Sequence, residues 1–142
     1  MQGSVVGMGV SPTRQARGSR RKAREIALMT LYEMDAVGHR PDEVLQRHLE
    51  EMGASARTSQ FARHLVAGVL NNLAEIDAKI AKAAPAWPIR QMAKMDKNIL
   101  RLAIFEVLFD NRSAPVKAVV NEAVELAKTY GSDTSGRFVN GV

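Results

Sequence analysis

The stretch Asp96-Lys97-Asn98-Ile99-Leu100-Arg101-Leu102-Ala103-Ile104-Phe105-Glu106-Val107-Leu108-Phe109 decides the fold. Its apolar residues recur on nearly every side of a helical turn, the pattern of a helix buried all round rather than one with a single apolar stripe. Asp96 is placed to cap its N-terminus. Arg101 and Glu106 interrupt the run and leave it short of the ~20 apolar residues that a membrane-spanning helix needs. The segment predicts the central helix of a globular domain, and the flanking sequence must supply the elements that cover it.

It does so with helices. Towards the C-terminus, Pro115 opens a helix that turns Val119, Val120, Ala123, Leu126, Ala127 and Tyr130 inward. Gly131 is placed for a left-handed cap, and Ser132 or Asp133 for the cap of a last short helix holding Phe138, Val139 and Val142. Towards the N-terminus, Pro85-Ala86-Trp87-Pro88 marks a boundary between two lobes, with a short helix expected at 89–94. Before it, Phe61, Leu65, Val69, Leu73, Ile76 and Ile80 form an almost unbroken stripe that fits one helix or two. Pro41, followed by Asp42 and Glu43, starts a helix that Gly53 stops. Ala23, Ile26, Ala27, Leu31 and Met34 give the apolar face of another, ending near Gly38. No alternating run with hairpin turn signals supports a strand, and no repeat is visible. The expectation is an all-α fold, a single compact domain of six or seven helices, divided into residues 19–84 and 85–142 behind a flexible leader at 1–18.

Composition narrows the function. Hydrophobic residues make up 46% and charged residues 25% of the chain, values of a globular protein rather than a disordered one. There is no cysteine, hence no disulfide framework or thiolate site, which fits a cytoplasmic protein. The N-terminus places its apolar stretch ahead of its charge, the reverse of an export signal. An acid-free, arginine-rich leader also resembles a transit peptide, against which the ensuing helix argues. The charge is lopsided: Arg14, Arg17, Arg20, Arg21, Lys22 and Arg24 stand in an acid-free segment, leaving 14 bases against 15 acids in the rest. A basic arm on a neutral body is the electrostatic pattern of a polyanion binder. Four of these cations, at 20–24, open the first helix, whose N-terminal dipole is already positive. Each should cost about 0.3–1 kcal/mol unless an anion such as phosphate offsets it.

Specific blocks then resemble the NusB family of bacterial transcription antitermination factors. Arg20-Arg21-Lys22-Ala23-Arg24-Glu25-Ile26-Ala27-Leu28 leading to Leu31-Tyr32 is similar to its opening. Phe61-Ala62-Arg63-His64-Leu65-Val66-Ala67-Gly68-Val69, Ile76-Asp77 and the stretch from Asp96 through Glu106 are similar to its middle blocks. Pro115-Val116, Val120-Asn121-Glu122-Ala123-Val124-Glu125-Leu126-Ala127-Lys128, Tyr130-Gly131 and Arg137-Phe138-Val139-Asn140-Gly141-Val142 are close to its C-terminal signature. The resemblance spans roughly residues 20–142. It implies two packed three-helix lobes, no catalysis, and recognition of single-stranded boxA-type RNA in ribosomal RNA transcripts. The implied partners are the ribosomal protein NusE and the RNA polymerase antitermination complex.

By position, the resemblance implies RNA contacts at Arg20, Arg21, Lys22, Arg24 and Tyr32, and at Ser132, Asp133, Thr134 and Arg137 of the turn at 131–138. The protein-partner candidates are Arg101, Phe105, Glu106, Phe109, Lys117 and Asn121. The alternative is an RNA-positioning or adaptor module whose basic arm binds RNA or acidic protein non-specifically. Other sites find little support. His39, His48 and His64 lack metal-ligand spacing and read as surface or capping residues. Glu50-Glu51 reads as a solvated face, and Glu122 with Glu125 lacks a partner base. No metal, cofactor or membrane association is expected.

Overall fold

The computed structural model describes residues 14–110 and 114–142, with side chains from residue 18 onward. The described residues form seven α-helices: α1 (Arg14–Val37), α2 (Pro41–Glu51), α3 (Ala56–Asn71), α4 (Leu73–Ala83), α5 (Lys94–Ile104), α6 (Val116–Tyr130) and α7 (Ser135–Gly141). Among them there is no strand, and no helix is long and apolar enough to cross a membrane. The fold is all-α, as expected.

Local chemistry sets most boundaries. Gly38 and Gly53 take positive φ values of 80° and 60°, the backbone that ends α1 and α2 and that other residues rarely adopt. Pro41 occupies the first position of α2 with Asp42 and Glu43 in its first turn. Ser55 caps α3 by accepting the Thr58 N–H at 3.2 Å. The apolar stripe from Phe61 to Ile80 belongs to two helices, broken at Asn72, whose side chain donates to the Gly68 carbonyl at 2.8 Å. Between α4 and α5 the chain makes a single 3-10 turn, Ile89–Gln91, where a longer segment at 89–94 was expected.

Four expectations need correction. The first helix starts at Arg14 rather than near Ser19, so part of the expected leader is helical, and residues 1–13 lie outside the described set. Asp96 does not cap α5: the helix begins at Lys94, and Asp96 is buried within its first turn. Gly131 is extended (φ −92°, ψ −167°) rather than left-handed. Its requirement is space, because a Cβ there would lie 2.4 Å from Ser135 Oγ and 2.7 Å from the Ala127 carbonyl. Neither Ser132 nor Asp133 caps α7; instead Ser135 Oγ accepts the Ser132 N–H at 2.8 Å and pins the turn from the other side.

One continuous core runs from Ala23 on α1 to Val139 on α7. Helix α5 packs against α1, α3, α4, α6 and α7, the central place its composition predicts. Its continuation, Phe105–Phe109, is a π-turn. The extra residue per turn shifts the register there: Phe105 and Glu106 are buried, while Leu108 is half exposed. Fully burying a Leu, Ile or Phe contributes about 1.5–3 kcal/mol. The interior also takes in Arg24, Asp96, Lys97, Asn98 and Glu106; Arg24 pairs with Glu106, and Lys97 with Asp35 at 2.8 Å.

Candidate nucleic-acid interface

The basic run on α1 lies in the helix's second and third turns because α1 starts six residues before Arg20. The unfavourable dipole position expected for residues 20–24 therefore does not apply to them, since the effect fades beyond the first turn. What separates these cations is the helical rotation, which sends them to four different environments. The Arg20 side chain is exposed and holds its guanidinium 5.3 Å from the centre of the Phe61 ring. Arg21 is 64% exposed and forks onto Glu122, Nε to Oε1 at 3.1 Å and Nη2 to Oε2 at 3.0 Å. Donating these hydrogen bonds to the Glu122 carboxylate holds its guanidinium above the ordinary arginine value. Lys22 is half-buried and donates to the Met52 carbonyl at 3.1 Å.

Arg24 departs from the expected role. It is 6% exposed, and its Nε and Nη2 grip the buried Glu106 carboxylate at 2.9 and 2.8 Å. No phosphate reaches a guanidinium in that position without opening the core. It positions the arm by tying α1 to the π-turn.

Tyr32 is 39% exposed. It follows Arg21 by three helical turns, so the two share a face of α1 with their Cα atoms roughly 16 Å apart. Glu25 lies between them and accepts the Tyr130 hydroxyl at 2.7 Å, which docks the end of α6 beside α1. Burial, helped by Glu25, pushes the Tyr130 phenol up to about 12. That anchor carries the turn after α6, where Ser132, Asp133, Thr134 and Arg137 are all exposed. Ser132, Asp133 and Arg137 line a shallow hollow of about 420 Å³ together with Lys128.

A larger cleft, about 930 Å³, opens between α1, α3 and the start of α6. Arg20, Arg21 and Arg24 form one wall, Arg57, Gln60, Phe61 and His64 another, and Pro115, Asn121 and Glu122 the third. His64 packs its ring between Phe61 and Phe105 and shares a 2.9 Å hydrogen bond with Asp110. Glu122, read from sequence only as a carboxylate without a catalytic partner base, is the ion-pair partner of Arg21. Arg57 and Gln60 were not singled out either. What groups them is proximity of α1, α3 and α6 across long sequence separations, for which local spacing carries no signal.

The expected partner residues do not gather into one patch. Phe105 and Glu106 are buried at 4% and 2% exposure and cannot meet another protein. Arg101 is half-buried and forks onto Asp77 with two 2.8 Å hydrogen bonds. Phe109 is half-buried and stacked on Phe105, whereas Lys117 and Asn121 are exposed, Asn121 inside the arginine cleft. Phe105 and Glu106 follow Ile99 and Leu102 at helical spacing, on the face that α5 buries. Of the histidines, His39 and His64 are exposed, but His48 is half-buried beside Glu33. Arg47 and His39 also bond Glu33 and hold its carboxyl down at about 2.

The family pattern of NusB matches residues 21–142. The transcription antitermination protein NusB of Roseiflexus castenholzii is 52% identical over 124 residues, which cover 87% of each chain. That of Chloroflexus aggregans is 48% identical over 87% of this chain and 83% of its own. The crystal structure of the antitermination factors NusB and NusE in complex with double-stranded RNA superposes with a TM-score of 0.79 at 30% identity, covering 87% of this chain and 92% of that one. T. maritima NusB gives 0.79 at 32% identity over 86% and 85%. With the family pattern spanning all but the N-terminal segment and relatives matched over nearly their whole length, this chain belongs to the NusB family.

Proposed function

We propose that this protein is a cytoplasmic RNA-binding transcription antitermination factor that recognises boxA-type RNA in ribosomal RNA transcripts. It acts with the ribosomal protein NusE within the RNA polymerase antitermination complex, by binding rather than by catalysis. The observation that carries this reading is the shared face of α1, where exposed Arg21 and exposed Tyr32 stand beside the turn bearing Ser132, Asp133, Thr134 and Arg137. Guanidinium groups bind phosphate, and an aromatic ring stacks an unpaired base. Arg20 and Lys22 flank that face, while Arg24 supports it from within.

For NusE, the exposed apolar side chains Leu108, Val116 and Val120 lie on the π-turn and the first half of α6, with exposed Lys117 among them. Together they offer a partner more accessible apolar area than Phe105 does.

The test is a titration of a boxA-type RNA and a scrambled RNA of equal length, each with and without NusE. The expected result is preference for boxA, strengthened by NusE, with log affinity falling against log salt by about 0.7 per phosphate contact. Equal affinity for both RNAs, or no dependence on salt, overturns the reading.

A further inference from the structure

The chain's only tryptophan, Trp87, stands in the link between α4 and α5 and takes no part in the α1 face. The link holds it firmly. Pro85 and Pro88 flank it, each with a fixed φ and each keeping the residue before it out of the helical region. The Trp87 N–H donates to the Ala84 carbonyl at 3.1 Å and closes a turn, and the 3-10 turn Ile89–Gln91 follows directly. The indole rests on Phe138 of α7, with ring centres 6.1 Å apart and planes inclined at 53°, within the range that aromatic pairs favour. It is nevertheless 54% exposed, and apart from Phe138 no ring, cation or acceptor among the described residues engages the indole.

The charge around this ring has one sign. Residues 78–95 contain no acid and four cations, Lys79, Lys82, Arg90 and Lys94, all exposed. Arg90 follows Trp87 by three residues, so the two Cα atoms lie within about 11 Å of each other. Arg137 is exposed and precedes Phe138, the residue on which the indole rests. Neither Arg90 nor Arg137 has a carboxylate or other hydrogen-bonding partner among the described residues, in contrast to Arg21, Arg24, Arg47 and Arg101.

We infer that Trp87 is a stacking platform for one unpaired base of the RNA bound at the 131–138 turn, with phosphates beside that base meeting Arg90 and Arg137. The inference rests on the RNA binding proposed above and adds to it a residue that the α1 face does not supply. Phe138 closes the 131–138 turn, so a strand lying on the turn comes to the indole without leaving the surface. A single strand offers a flat base for the ring and a phosphate at every nucleotide for the cations. An apolar protein surface would cover the indole but bury the two guanidinium groups without counter-ions.

The chain's own fluorescence reads this position, because no other tryptophan contributes to it. Titrating the full chain with a boxA-type RNA should quench the tryptophan emission in step with binding. Trp87→Ala and Trp87→Leu should each weaken RNA binding about tenfold, the loss of one stacked base, while Trp87→Tyr stays within about twofold of the wild type. Leu keeps an apolar contact with Phe138 and Tyr keeps a π-face, so a difference between these two variants reports stacking rather than folding. Arg90→Ala should lower the salt slope by about 0.7. Binding of boxA-type RNA without quenching overturns this inference alone, and so does wild-type affinity in both Trp87→Ala and Trp87→Leu. Loss of NusE binding by Trp87→Leu in the absence of RNA also overturns it, by assigning the indole to protein. Emission that shifts with protein concentration before RNA is added does the same in favour of a second copy of the chain. Equal affinity and equal quenching with boxA-type and scrambled RNA would sink the boxA reading and leave the stacking platform in place.

Discussion

Two guanidinium–carboxylate forks stand three residues apart on α1 and have opposite characters. Arg21 meets Glu122 at the surface, with the arginine side chain 64% exposed; Arg24 meets Glu106 in the interior, at 7% and 2% exposure. The bond lengths are nearly equal, so geometry does not distinguish them. Solvent does. An exposed pair is screened and contributes about 0–1 kcal/mol, so its arginine can exchange Glu122 for a phosphate at little cost. A buried pair has lost its hydration, and removing either partner leaves the other's charge without its counter-ion in the interior. Neighbouring arginines in one basic run are thus divided between recognition and architecture.

The largest test of that contrast is Arg24→Ala or Glu106→Ala. Either leaves a buried charge alone and should lower stability by about 3–5 kcal/mol in urea unfolding. Replacing both, Arg24→Met with Glu106→Leu, should recover most of the loss. Stability unchanged in the single variants would break the comparison. Next in size, Arg21→Ala should change stability by less than about 0.5 kcal/mol. It should weaken boxA-type RNA binding about fivefold, with the salt slope reduced by about 0.7. A large stability loss there would show that the two forks are alike. Smaller still, Glu122→Gln removes the carboxylate that competes with phosphate. Affinity for boxA-type and scrambled RNA should rise together, by about twofold. A rise confined to one RNA would mean that Glu122 itself reads sequence.

The smallest effect comes from a third cluster, in which Glu33 gathers Arg47, His39 and His48 at the junction of α1 and α2. Its folded carboxyl sits at about 2, below the ordinary 4.5 it would have unfolded, so it stabilises the protein above that ordinary value. The contribution should be lost as pH falls from 4.5 towards 2. Thermal unfolding across that window should therefore be less steep in pH for Glu33→Gln than for the wild type. Parallel curves would show that the cluster adds nothing to folding.

Much of the fold was legible in order along the chain. The stripes at 23–34, 61–80 and 119–130 give helices at those places, and Gly38, Gly53 and Pro41 mark ends where their backbone preferences demand them. Gly131 misled because a glycine serves either a positive φ or a close approach, and only the position of Ser135 tells which. The candidate site was half legible. Basic character at 20–24 and an aromatic at 32 are visible in sequence; the fate of Arg24 is not, since Glu106 lies 82 residues away.

Spacing and composition were enough to specify an all-helical chain with a buried α5 and a cationic first helix, because helical periodicity and charge are properties of neighbours in sequence. Which arginine faces water, which carboxylates neutralise the others, and the cleft that unites Arg20, Arg57, Gln60 and Asn121 arise only when α1, α3, α5 and α6 pack together. The π-turn is the clearest instance. Phe105 and Glu106 lie in the core at its start while Leu108 is half exposed, and Glu106 is paired there with Arg24, a contact no local pattern encodes.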